Sequence, residues 1–213
     1  MFKQLIEGQF KLVKKRKKQN KNNKKIDDIQ KKICLATLNL LQSKTWSQIT
    51  IRIILKNSKI SMTEGYRVIK QKKDILVLIN NYIDKQMIKH IQNIDDSSTK
   101  DKLIEVFMIR FEILSEYKKS ILRIYDHITK KPDLLIFFLP SLLKSLNLML
   151  EFCNANTDGI LGKIKVDVLL FIYVATFLVW KEDKTVGLEK TMAALDNNLN
   201  KIDNLIKIFN FKK

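Results

Sequence analysis

Apolar residues recur at three- and four-residue spacings along most of this chain, the pattern of amphipathic helices. The first such face is Ile26, Ile29, Ile33, Thr37 and Leu40, with Cys34 and Leu41 beside it, and it predicts a helix over residues 26–42. Asp27 and Asp28 fall in its first turn, where negative charge suits the helix dipole. The stretch from Thr45 to Lys73, TWSQITIRIILKNSKISMTEGYRVIKQKK, then reads as two short helices and the approach to a third. Thr50 is a good N-cap for the first, whose apolar face is Ile51, Ile54 and Leu55. Asn57-Ser58-Lys59 breaks the pattern, and Ser61 caps the second, with Glu64 placed to complete a capping box. Two short helices joined by roughly three to four residues outline a helix-turn-helix, whose second helix can enter the DNA major groove.

A longer helix follows, from Lys72 to about Ile94, with Ile75, Leu78, Ile79, Tyr82, Ile83 and Met87 on its apolar face. The polar run of residues 93–99 interrupts the pattern. Later helices are expected at Lys100–Ser115, Tyr117–Thr129, Pro132–Phe152, Leu161–Lys181 and Val186–Phe209. Pro132 suits a first helical position, whereas Pro140 should break or kink the helix it sits in. The expected architecture is all-α in three parts: an N-terminal arm (1–25), a helix-turn-helix head (26–73) and a helical body (74–213).

Composition supports helices, since 5 Gly and 2 Pro in 213 residues leave few turn formers for an all-β fold. The opening MFKQLIEGQFKLV is broken by Lys3, Glu7 and Lys11 and does not read as a signal peptide. The most apolar windows, Leu134–Leu143 and Val166–Trp180, fall short of the ~20 residues that cross a bilayer, and read as buried helices. Cys34 and Cys153, both in apolar helical surroundings, read as small buried residues of a reducing compartment, with a cytoplasmic location expected.

Charge sharpens the picture through its distribution. The formal net charge is +18, yet residues 1–73 hold 20 Lys/Arg against 4 Asp/Glu, while residues 74–213 hold 20 against 18. A genome-wide taste for lysine would load both parts alike; a polyanion-binding segment would not. Within the first part, residues 11–25 carry nine basic residues and no acid, with Lys14, Lys15, Arg16, Lys17 and Lys18 at their centre. Three readings of this block stay open: an arm on DNA phosphates or in the minor groove, a solvated tail, and contact with an anionic membrane.

The helix-turn-helix stretch resembles the DNA-binding segment of TetR-type bacterial transcription regulators. The resemblance rests on Trp46, Thr50-Ile51-Arg52, Ile60-Ser61, Tyr66 and Lys72. Lys59 stands where that family often has Gly, Thr63 where it often has a small residue, and Ile69 where an aromatic usually follows. The body is similar to one TetR-like subgroup at Arg110-Phe111, Lys131 to Asp133, Ser145 to Glu151, Thr157 to Gly159, Trp180 to Asp183 and Thr191 to Asp196. The last two motifs are also similar to a TetR-fold lipid-binding accessory family of ubiquinone biosynthesis.

The resemblance implies a DNA-binding homodimer that regulates transcription, most simply as a repressor, with double-stranded DNA as its partner. Thr50, Arg52, Tyr66 and Lys72 would then position the head on phosphates around the cap Ser61. Met62, Thr63, Glu64 and Arg67 would face the bases. It also implies that the helix from Lys72 links head and body, and that two C-terminal helices pair between subunits. Two apolar stripes suit that pairing: Val168, Ile172, Ala175 and Val179, then Leu188, Met192, Leu195 and Leu199. The surplus of large apolar residues could line a site for a small hydrophobic ligand, with Phe111, Phe138, Met149 and Phe177 as the named lining. The alternative family implies a lipid-binding accessory protein at a membrane surface.

No catalytic constellation is legible. His90 and His127 are isolated, and the sequence carries no Gly-rich phosphate loop, Cys/His metal spacing or nucleophile motif. The expectation is a non-enzyme with no cofactor.

Overall fold

The computed structural model describes residues 22–91 and 98–201. The arm residues Lys14, Lys15, Arg16, Lys17 and Lys18, the interruption at 92–97 and the predicted end of the last helix beyond 201 lie outside the described residues. All regular structure among the described residues is helical.

Helix α1 covers residues 22–40, and a single 3-10 turn follows at Trp46–Gln48. Helices α2 (Ile51–Ser58) and α3 (Met62–Val68) form the compact pair. Helix α4 (Asp74–Ile91) leads into the body of α5 (Thr99–Glu116), α6 (Lys118–Ile128), α7 (Pro132–Phe152), α8 (Gly159–Glu182) and α9 (Glu189–Asn200). Helix α4 packs on α5 and α7, α7 on α8, and α8 on α9, while α6 reaches the 3-10 turn of the head. One continuous apolar cluster runs from Ile29 and Ile33 in α1 through Ile75 and Met87 in α4 to Trp180 and Leu195.

Three expectations change. Lys72 does not open α4; the helix starts at Asp74, whose carboxylate accepts the amides of Lys70 (2.8 Å) and Gln71 (2.9 Å) and so caps the preceding turn. Pro140 does not break α7. Its missing amide frees the carbonyl of Ile136, and both residues are exposed, so water can serve that oxygen. Helix α7 is also not the buried helix its composition suggests: Leu135, Ile136 and Leu139 are exposed in its N-terminal half. At 21 residues it is long and apolar enough to cross a membrane by length and composition.

A buried polar network joins four helices in the apolar body. Arg110 of α5 pairs with Asp84 of α4, donates to Asn80 Oδ1 (2.7 Å) and lies over the ring of Tyr173 of α8. Asn80 donates to the hydroxyl of Ser145 of α7 (2.7 Å), and Ser145 donates to Asp84 (2.6 Å). Each of these buried groups has a partner, which is what allows a guanidinium to sit in this core. Cys34 and Cys153 are buried free thiols, and burial pushes each up to about 12.

Candidate nucleic-acid interface

The helix-turn-helix is built by local capping. The Thr50 hydroxyl accepts the amide of Ile53 (3.3 Å), and the Ser61 hydroxyl accepts that of Glu64 (3.2 Å), satisfying amides that helix starts leave open. The capping box at Ser61 is half formed: the Ser61 hydroxyl donates to the Glu64 carboxylate (3.1 Å). That carboxylate also pairs with Lys25 of α1 at 2.9 Å. The bond from Lys25, then that from Ser61, holds Glu64 below the usual carboxylate range. Glu64 thus ties α3 to α1.

The turn between α2 and α3 is closed by Lys59 in the left-handed region (φ 55°, ψ 34°), with the Ile60 amide bonding the Leu55 carbonyl at 3.1 Å. This is the position where glycine is the comfortable residue. Gly65 supplies the close crossing instead. A Cβ there would lie 2.4 Å and 2.5 Å from the two methyl carbons of Leu55, so α3 lies on α2 with no room for a side chain. Nothing in the helical periodicity singles out Gly65; its sign in the sequence is a glycine in mid-helix, which costs stability unless packing needs it.

With Gly65 facing inward, α3 turns Met62, Thr63, Tyr66 and Arg67 to solvent. Arg52 is exposed near the start of α2, beside the exposed cap Thr50, and Ser61 is exposed at the start of α3. Apart from Met62 these exposed residues are polar, with Arg52 and Arg67 cationic, and they lie in the most basic part of the sequence. Lys72 sits differently. Its ammonium donates to the carbonyl of Trp46 and lies 5.0 Å from the centre of that ring. Burial lowers its pKa below the ordinary lysine value. His127 of α6 also meets Trp46, with ring centres 6.3 Å apart. Its pKa is lowered, first by burial and then by the charges of Lys72 and Lys131.

The subunit-interface expectation divides. Ile172, Leu188, Leu195 and Leu199 are buried inside the chain, because α9 lays its stripe against α5 and α8. These four are corrected to core. Met192 is exposed and Val168 half-buried. The face of α8 left open is a different one: Ile160, Leu161, Ile164, Phe171, Val174 and Leu178, with Phe171 75% exposed. It recurs at helical spacing from Ile160 to Leu178, broken by the exposed Asp167, and is still a large amount of open apolar surface for one element.

Of the proposed ligand lining, Phe111 and Phe177 meet in one aromatic cluster. Phe111 stacks on Tyr173 (5.6 Å) and leans on Trp180 (6.0 Å), while Phe177 touches Trp180 (5.1 Å) and Tyr125 (5.3 Å). Phe138 and Met149 stand on the core side of α7, half-buried and buried.

No family model and no curated protein sequence matches the chain. Solved structures do. The TetR transcriptional regulator from Nitrosomonas europaea aligns over 83% of this chain and 98% of its own length, with a TM-score of 0.67 at 16% identity. A TetR transcriptional regulator from a Rhodococcus species aligns over 87% and 97%, with a TM-score of 0.58 at 11% identity. The chain has the TetR fold. In chain order, α1 to α3 fall within residues 26–73, expected as the head, apart from the first residues of α1, and α4 to α9 fall within 74–213, expected as the body. Identities this low extend to architecture alone, so what the TetR-fold surface binds rests on its own residues.

Proposed function

We propose that the chain is a dimeric, sequence-specific DNA-binding regulator of transcription, acting as a repressor in the cytoplasm. The observation that carries this is the capped α2–α3 pair, which presents Met62, Thr63, Tyr66 and Arg67 outward on a segment holding 20 Lys/Arg against 4 Asp/Glu. Thr50, Arg52, Ser61 and Tyr66 are assigned to phosphates. Met62, Thr63 and Arg67 are assigned to base edges, Arg67 reading guanine in the major groove. Glu64, pinned by Lys25, sets the pose of α3, and Lys72 supports the head through Trp46. The basic arm of Lys14 to Lys18 adds phosphate contacts.

A second copy is assigned to the open face of α8, with Val168 and Met192 at its margin. Two heads then reach half-sites about one helical turn apart. An apolar effector is assigned to the aromatic cluster of Phe111 and Phe177, where it would have to part close-packed rings. It acts only by binding one arrangement of the body better than the other.

Selection of the full chain on random duplex DNA tests the reading. The expected result is an enriched palindrome whose affinity falls steeply with salt as lysines displace condensed counterions. Binding to anionic vesicles without preference among duplexes would favour the lipid-binding alternative.

A further inference from the structure

Helix ends leave carbonyls unpaired, and chains usually close them locally with a left-handed residue. Helices α2 and α7 do so, through Lys59 and Asn154. Helix α1 does not, for no residue from 41 to 45 has a positive φ. Its last turn tightens instead: the Gln42 amide, which would ordinarily reach Leu38, bonds Asn39 at 3.0 Å. The carbonyls left over are taken by the body. Ser120 of α6 donates to Leu38 O (2.6 Å) and accepts from the Gln42 side chain (2.8 Å). Arg123, one turn further along α6, donates to Leu41 O (2.9 Å) and Lys44 O (2.8 Å).

We infer that Arg123, seated by Ser120, is a positioning residue for DNA binding: it caps α1 from the body, fixes the angle of the head, and so sets the half-site spacing that the dimer accepts. The physical case has three parts. A guanidinium reaching the Leu41 carbonyl, just past the last residue of α1, and the Lys44 carbonyl in the loop beyond makes charge-assisted bonds, the first of them near the negative end of the helix dipole. The two bonds span chain separations of 79 and 82 residues, so they hold body to head and not neighbour to neighbour. Only one backbone connection joins head to body, through α4. Beside it, the apolar packing of α1 resists sliding without direction, and the Asp27–Lys85 pair (2.9 Å) is exposed, so neither fixes an angle as two directed bonds do. Arg123 and the Trp46–His127 contact close the second side of the hinge.

The inference rests on the DNA-binding reading, and its test separates the two. Duplexes carry the selected half-site once, or twice at separations stepped by one base pair, and are titrated with the full-length wild type, Arg123→Gln and Arg123→Lys. Wild type should show one sharp spacing optimum. Arg123→Gln should lose about tenfold at that optimum, hold within about twofold on the single half-site, and bind the other spacings nearly as well as the best. Arg123→Lys, which keeps the charge and can still reach a carbonyl, should retain the optimum. The inference is overturned by an unchanged optimum in Arg123→Gln, or by an equal loss on single and paired half-sites, which would mean a weakened head and not a freed one. A wild type that enriches no sequence refutes the DNA reading instead. The head pose is then read by pulsed electron paramagnetic resonance between labels on Lys56→Cys in α2 and Glu112→Cys in α5. Arg123→Gln should broaden that distance distribution, and an unchanged distribution overturns the inference.

Discussion

The outer faces of α3 and α8 are both exposed and both regular, yet they have opposite chemistry. The α3 face is short and mixes Thr63, Tyr66 and Arg67 with a single large aliphatic, Met62. The α8 face is three times longer and mostly apolar, from Ile160 to Leu178, interrupted by the exposed Asp167. The difference teaches what each can bind. A polar cationic patch keeps its hydration until a polyanion replaces it, so it tolerates being empty and releases its partner in salt. An apolar stripe loses free energy for every uncovered residue, roughly 25 cal/mol per Å², and is stable only when matched. The first suits a partner that comes and goes, the second a partner that stays.

The largest expected effect tests the second half of that contrast. Phe171→Glu should give a folded monomer by sedimentation, with operator affinity down on the order of a hundredfold because two half-sites can no longer be held together. Leu195→Glu, by contrast, places a charge in the core of one chain. It should unfold the protein, at a cost on the order of 4 kcal/mol, without a folded monomer appearing. The reverse pattern would return α9 to the interface. Next comes Gly65→Ala, which drives a methyl into Leu55. It should cost about 1–3 kcal/mol in thermal or urea unfolding and weaken DNA binding, while the dimer at low temperature is untouched.

Arg67→Ala should be smaller and more selective. A lost bidentate base contact is worth about 1–3 kcal/mol, seen as relaxed preference at one operator position with the rest of the footprint intact. Uniform weakening across sequences would move Arg67 to the phosphates. The smallest effect is expected of Lys59→Gly. Relief of the left-handed strain is partly offset by the added freedom of the unfolded chain, leaving a gain of roughly 0.5 kcal/mol in stability. If Lys59 also sits near DNA, the salt slope should drop by about one unit, with the preferred sequence unchanged.

The sequence carried the features whose chemistry is local. Thr50 and Ser61 cap as expected because a cap reaches only three residues along the chain. Pro132 opens α7 for the same reason. The bounds expected for α5 to α8 came close, and the helix-turn-helix was outlined by its caps together with its apolar spacing. Periodicity locates a stripe but not what lies across from it, so Leu195 and Phe171, both on apolar stripes, could not be sorted into inside and outside. Lys72 and Gly65 depended on partners 26 and 10 positions away, Trp46 and Leu55. Arg123 reads as one more cation on a polar helix until α1 is seen ending beneath it.

That ending bears on how such proteins can be cut and rejoined. A head defined by its helix-turn-helix alone, stopped anywhere before Lys118, would carry an unfinished end to α1: the oxygens of Leu38 and Leu41, and that of Lys44 in the loop beyond, would lose their partners. A chimera that transplants this head onto a foreign body therefore needs α6 to travel with it, or a replacement serine and arginine at matching places on the host. The unit that can be exchanged is discontinuous, made of one segment before the linking helix and a second one well beyond it.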